Sequence, residues 1–367
     1  MTSCFSPDYR TARKLILQKT AAAGDWTHEA FKHPVSGRDG EPIYTDVFWK
    51  GPEDATRVLT ISSGIHGVEG FCGSAAQCQF IEDAPPLAED TALLLIHAVN
   101  PYGFSHLRRV NENNVDLNRN FIDFDAGLPQ NEKYRELYDL LNPDELPPGG
   151  ADAIIARVEE LRASMDALDF MKAVTGGQYE FPDGIQFGGQ EPAWSRRTME
   201  KIWDSYLSHA AIVVQIDVHS GLGPSGMGLL MMAADDEEPH KALTAEWFGD
   251  MFVTPRPHSA SDTILGGYMN AGMEDHLGAR TWVIPMTLEY GTEPAKAVLG
   301  MLIEDNWLTH HGDVESERGR DIRQRLLRVF YPDDEAWKDA VLTRARDVFD
   351  RALAGLQSLS PEKRYPQ

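Results

Sequence analysis

RVLTISSGIHGVE, residues 57–69, opens as a β-prone apolar run and closes on a glycine-punctuated loop carrying His66 and Glu69. Three further runs share this build. Leu93 to Val99 (LLLIHAV) leads into Asn100-Pro101-Tyr102-Gly103, and Ala211 to Val218 (AIVVQIDV) into His219-Ser220-Gly221. Thr281 to Leu288 (TWVIPMTL) leads into Glu289-Tyr290-Gly291. Runs this short and this uniformly apolar predict strands buried on both faces. Such strands imply an α/β fold: a mixed, mostly parallel twisted sheet with helices on both faces. Ligands of such sheets bind in the crevice outside the carboxyl ends of the strands. His66, Glu69, His219 and Glu289 all fall there.

Two histidines and one carboxylate form the donor set that catalytic zinc uses, with a fourth position left for water. His66 and Glu69 are separated by two residues and His219 is distant. An HxxE pair alone reads equally well as a solvated pair on a helix, and a lone loop histidine as a backbone contact. His219 and Glu289 shift the balance, because each follows a strand-like run and has a glycine two residues on. The set predicts one zinc per chain, with Glu289 free to act as base.

A second cluster, Arg108-Arg109-Val110 followed by NNVDLNRNF (residues 113–121), lies between the first two donors and the third. Arginine offers a charged planar fork suited to carboxylates. One such fork near a metal can hold a developing oxyanion, and another can clamp a substrate carboxylate. The plainer reading is a basic loop pairing with acids, rich in Asn because Asn stabilises turns.

The order HxxE, arginine, DLNRNF, strand-terminal His, strand-terminal Glu resembles the M14 zinc carboxypeptidases. SGIHGVEGFCGS, NPYGF, RRVNENNVDLNRNF, DVHSGLGPSG and TLEYGT look more specifically like the DUF2817 branch of that superfamily, over roughly residues 40–310. The resemblance implies that His66, Glu69 and His219 hold Zn2+ and that Glu289 is the general base. It implies Asn118 and Arg119 as the carboxylate-binding pair, and Arg109, or Arg108, as the oxyanion group. Arg109 and Asn118 are nine positions apart, closer to the aspartoacylase and succinylglutamate desuccinylase deacylases than to carboxypeptidases. The family's mobile tyrosine falls on Tyr268, 21 positions before Glu289, whereas aligning Gly266-Gly267 with the family's glycine pair puts Asp262 there. The implied activity is zinc-dependent hydrolysis of an amide next to a free carboxylate, on a small peptide. The alternatives are an N-acyl-amino-acid deacylase and a zinc-binding protein that has lost catalysis. Glu289 and the arginines speak against the last, since a structural zinc site needs neither.

With 367 residues and 42% hydrophobic content, the chain can bury a large core. Its 34 basic and 57 acidic residues give a net charge of −23, which argues against nucleic acid or an anionic membrane as partner. Arg108, Arg109 and Arg119 can still make a local positive pocket. Cys4, Cys72 and Cys78 show no CxxC spacing and read as free thiols, Cys72 in the core, in a reducing cytoplasm. The first thirty residues lack a signal peptide's apolar stretch, and no run approaches the ~20 apolar residues of a spanning helix.

One catalytic domain is expected, with a helical and loop insert at about 129–210 and a helical C-terminal segment at about 296–367. Expected helices are Tyr9 to Ala23, Glu69 to Glu82, Glu132 to Leu141, Ala151 to Ala173, Ala193 to Ser208 and Glu335 to Leu359. Ile43 to Trp49 reads as a strand. Within the insert, Gly176 to Gly189 is a glycine-rich aromatic loop placed to cover a substrate mouth. His97 reads as a core or edge residue; His28, His33, His106, His209, His240, His258, His276, His310 and His311 read as surface. Asp217 is a candidate to orient His219. GPSGM at 223–227 misses a serine elbow, and neither HExxH nor a Walker loop occurs.

Overall fold

The four apolar runs are strands in the computed structural model, which describes residues 4–232, 238–253 and 266–360. In chain order the elements begin α1 (Tyr9–Ala23), β1 (Thr27–Ser36), β2 (Pro42–Lys50), β3 (Arg57–Ser63), α2 (Gly70–Glu82), β4 (Thr91–His97) and α3 (Pro101–His106). Next come α4 (Glu132–Leu141), α5 (Ala151–Ser164), α6 (Ala167–Thr175), α7 (Trp194–Leu207), β5 (Ile212–Gly221), β6 (Gly228–Met231) and α8 (Glu238–Phe248). The last are β7 (Phe252–Val253), α9 (Met269–Leu277), β8 (Trp282–Gly291), α10 (Ala295–His310), α11 (Glu317–Phe330) and α12 (Glu335–Ser358). The strands form one eight-stranded sheet, ordered β1-β2-β4-β3-β5-β8-β6-β7. Its centre, β4-β3-β5-β8, is parallel, while β2 and β6 pair antiparallel on either side.

Residue parity decides which face of the sheet each side chain meets. Leu59, Ile61, Val214 and Ile216 pack with Cys72 and Ala75 of α2 and with Val341 and Ala345 of α12. Val58, Val213 and Val283 face the other way, onto Met199 and Trp203 of α7 and Met273 of α9. Each fully buried Val, Leu or Ile contributes about 1.5–3 kcal/mol, so both helical layers are needed to cover the strands. Helices α4, α5 and α6 build a separate cluster around Tyr134, Ile154 and Val174, joined to Ile303 of α10, while α7 packs on the sheet. Among the described residues no helix is long and apolar enough to cross a membrane.

Several boundaries differ from expectation for local reasons. The run at 151–173 breaks at Met165, which is extended, and Asp166 accepts from Asp169 N to start α6. Asn100, read as a turn, accepts from Gly103 N and caps α3, with Pro101 in the first turn. β1 carries no apolar alternation in its sequence because most of it is an exposed edge. His33 and His240 are buried rather than on the surface. Aromatic neighbours cover them: Trp194 lies 4.4 Å from His33, and Trp282 stacks on His240 at 5.5 Å, centroid to centroid. His97 is a core residue bonded to Ser74 Oγ at 3.0 Å. His258 lies outside the described residues.

Asp46, fully buried on β2, ties α1 to the sheet. It accepts from Arg13 Nε at 2.6 Å and Nη2 at 2.9 Å, and it bonds His28 Nε2 at 2.8 Å. Burial works to raise its pKa, but the bonds from His28 and Arg13 outweigh it and hold the carboxyl below its ordinary value. The stabilisation is therefore complete above the unfolded-state pKa and is lost as pH falls through the lower folded-state one. Asp46→Asn should cost about 2–4 kcal/mol at pH 7, and the difference from wild type should shrink below about pH 4. Urea unfolding at pH 7, 5 and 3 measures this; a difference that stays constant would remove the carboxylate from the account.

Candidate metal centre and catalytic site

Past β3 the chain reverses through Gly64, whose φ of 68° lies in the left-handed region. It then makes a single 3-10 turn, Gly67–Glu69, before entering α2. A Cβ on Gly67 would fall 2.0 Å from the Gly103 carbonyl carbon, so glycine alone lets α3 approach the turn. Gly67 N and Val68 N donate to Arg109 O at 3.1 Å and Arg108 O at 2.9 Å. The turn is thereby held from outside.

His66, Glu69 and His219 meet in this crevice, all buried, with one potential ligand atom from each lying within 4.8 Å of the others. Glu69 Oε1 is 3.0 Å from His66 Nδ1, and Oε2 is 3.0 Å from His219 Nδ1. Each ring turns its other nitrogen to a carboxylate: His66 Nε2 to Asp116 Oδ1 at 3.1 Å, His219 Nε2 to Asp217 Oδ2 at 2.6 Å. Carboxylates in that position orient the rings and leave the Nδ1 lone pairs facing inward. Strand alternation puts Asp217 and His219 on one face of β5, and Ser62 Oγ donates to the other Asp217 oxygen at 2.7 Å. His66 Nδ1 is buried and, apart from its ion-pair contact with Glu69 Oε1, has no hydrogen-bond partner. That inward-facing nitrogen, with a second histidine and a carboxylate beside it, fits a zinc ion.

His219 and Glu289 sit inside their strands rather than past them, directly opposite each other in the parallel register of β5 with β8. Glu289 Oε1 accepts from Leu222 N at 2.9 Å. Burial, and next the nearby Glu69 carboxylate, push its pKa up to about 7. Glu69 is driven the opposite way: burial works to raise its pKa, but the two histidines hold it far below the usual carboxylate range. Two carboxylates in one pocket with pKa values pushed apart suit different roles, one a permanent anion and one a proton carrier.

Arg109 joins this group, donating from Nη1 to Glu69 Oε1 at 2.9 Å and from Nε to Asp116 Oδ2 at 3.3 Å. Arg108 turns away. Its guanidinium donates to Asp305 Oδ2 at 3.2 Å and Asn114 Oδ1 at 2.9 Å, in the direction of α10. Asp116, the one acid in the NNVDLNRNF loop, touches both His66 and Arg109 and was not singled out by sequence. The available signal was its isolation among amides and arginines.

Asn118 Oδ1 accepts from Met269 N at 3.1 Å. Arg119 donates from Nη1 to Asn118 O at 2.7 Å and from Nη2 to Thr175 O at 2.8 Å, while its buried Nε has no partner. Its guanidinium lies 5.3 Å from the Tyr268 ring centre. Asp262, the other candidate for the tyrosine's position, lies outside the described residues. The glycine-rich loop packs on Arg119: Tyr179 OH donates to Arg119 O at 2.6 Å, and a Cβ on Gly177 would sit 2.8 Å from Arg119 Cδ. Cys72 is buried and its thiol pKa is pushed well up by burial, which leaves it a poor nucleophile.

Solved structures similar to this chain include carboxypeptidase A from Helicoverpa armigera, 10% identical with a TM-score of 0.44, covering 87% of this chain and 73% of that one. Thrombin-activatable fibrinolysis inhibitor is 13% identical with a TM-score of 0.49, covering 96% and 75%. A succinylglutamate desuccinylase from a Silicibacter species is 16% identical with a TM-score of 0.37, covering 78% and 67%. No curated protein matches the chain. The model of a family described as "Protein of unknown function (DUF2817)" matches residues 5–344, which include every residue of the site. The chain belongs to the DUF2817 family.

Proposed function

We propose that this protein is a zinc-dependent hydrolase that cleaves an amide bond next to a free carboxylate, in the manner of a metallocarboxypeptidase. The observation that carries the reading is the His66–Glu69–His219 set facing Glu289, a buried carboxyl whose pKa lies near neutrality. His66, Glu69 and His219 would hold a zinc ion, which when bound would supply Lewis acidity to a water and to the scissile carbonyl. Glu289 accepts the proton of the attacking water and passes it to the leaving nitrogen, so that amide and water become amine and carboxylate. Arg109, braced by Asp116, donates to the oxygen that becomes anionic during attack. Asn118 and Arg119 hold the substrate carboxylate, and the unpartnered Nε of Arg119 is the donor left for it. Tyr268 packs beside that seat.

A second reading, an N-acyl-amino-acid deacylase, is favoured by the short spacing of Arg109 to Asn118. It is also favoured by the glycine-rich loop, which packs directly on Arg119. In both readings the partner is small, a peptide or an N-acyl amino acid, and not a nucleic acid or a membrane. The buried free thiols of Cys4, Cys72 and Cys78 are compatible with a cytoplasmic enzyme. Assaying C-terminal dipeptides against N-acyl amino acids separates the two readings.

Protein purified without added metal should carry one zinc per chain by elemental analysis, and His66→Ala should lose it. Full zinc retention in both His66→Ala and His219→Ala would refute the metal assignment. Glu289→Gln keeps every ligand, so zinc content should hold while kcat falls by roughly 10²–10⁴. Unchanged turnover would show that another group takes the proton. Arg119→Ala should cost on the order of 2–3 kcal/mol in kcat/KM on a free-acid substrate. The amidated analogue should be poor with both enzymes and show little further loss. Melting temperatures taken alongside expose the alternative, since equal losses on both substrates would make Arg119 a structural brace only.

A further inference from the structure

Arg108 has no part in the proposed reaction, yet three parts of the molecule converge on it. Its buried guanidinium donates to Asp305 of α10 and to Asn114. Asp305 also pairs with Arg323 of α11. Asn114 donates in turn to Pro182 O at 3.0 Å and Gly184 O at 3.1 Å in the glycine-rich loop. The main chain of the same segment faces the opposite way. Arg108 O and Arg109 O accept from Val68 N and Gly67 N, the two amides between His66 and Glu69.

That arrangement has a mechanical consequence. A single 3-10 turn has no internal acceptor for its first amides, and a buried amide needs one. The carbonyls of Arg108 and Arg109 supply both. Asn100 Nδ2 also donates to Arg109 O at 3.3 Å and Arg108 N to Gly103 O at 2.7 Å, and the Arg108 guanidinium, fixed through two of its nitrogens, tethers the same segment from its side chain. The same segment carries the Arg109 side chain to Glu69.

We propose that Arg108 is a positioning residue: anchored on Asp305 and Asn114, it clamps the His66–Glu69 turn through its main chain and aims Arg109. The kinetic consequence rests on the metallohydrolase reading; the clamp itself does not.

The test is Arg108→Met, which keeps the apolar stem and leaves Asp305 paired with Arg323. In metal-free protein, amide hydrogen exchange at Gly67 and Val68 should quicken by about 10-fold or more, with β3 and β5 unchanged. In zinc-loaded protein, chelator competition should show affinity about 10-fold weaker, and kcat should fall by more than KM rises. Unchanged exchange at both amides, or equally faster exchange throughout the chain, would overturn the clamp. If Arg108→Met does not fold, Asp305→Asn is measured in the same way, with the same two outcomes. A wild-type protein that binds no zinc would sink the metal reading, while the exchange data would still decide the clamp.

Discussion

Parallel pairing of β3, β5 and β8 is the constraint on which the site depends. Ser63 lies opposite Val218, and His219 lies opposite Glu289. The loop carrying His66 and Glu69 thus leaves the sheet at the level where the third donor and the base stand side by side. A slip of one residue between β5 and β8 would turn Glu289 to the opposite face of the sheet. Burial on both faces prevents that slip, because the apolar residues of β5 and β8 are committed to one helical layer or the other.

Within that frame the buried carboxylates of the cluster are each paired. Glu69 stays ionised beside His66, His219 and Arg109, while Asp116 and Asp217 orient the rings from outside. A buried carboxylate is stable only when so partnered. Glu289 is set differently. It accepts a hydrogen bond from Leu222 N, and burial raises its pKa into the range a proton carrier needs. Opposite shifts on two neighbouring carboxyls come from the partners each is given, since residue type is the same.

The helices and loop that precede β5 pack on the Asn118–Arg119 end of the crevice. Thr175 and Tyr179 fix Arg119 at its guanidinium and its carbonyl, and Phe187 O accepts from Asp116 N at 2.7 Å. The loop expected to cover a mouth is therefore the wall against which the NNVDLNRNF segment is set. α10 reaches Asn114 of the same segment through Asn306, and the preceding Arg108 through Asp305.

The sequence alone pointed to the sheet's buried strands, most of the helices and the candidates His66, Glu69 and His219 that the fold brings together, because these depend on local pattern. Uniform apolar runs make two-faced strands, and histidines and acids at their ends are conspicuous. What it left open was anything set by residues distant along the chain. Arg108 and Arg109 are neighbours of one type, and Asp305, 197 positions on, joins Asn114 in drawing one of them away from the centre. Asp116 became a ring-orienting group through tertiary placement, whereas Asp217 was already a candidate by its nearness to His219; His33 and His240 became buried through aromatic neighbours. The edge strand β1 lacked an apolar face and so carried no periodic signal. The pKa of Glu289 likewise belongs to the fold, because burial and proximity to Glu69 are properties of three-dimensional packing.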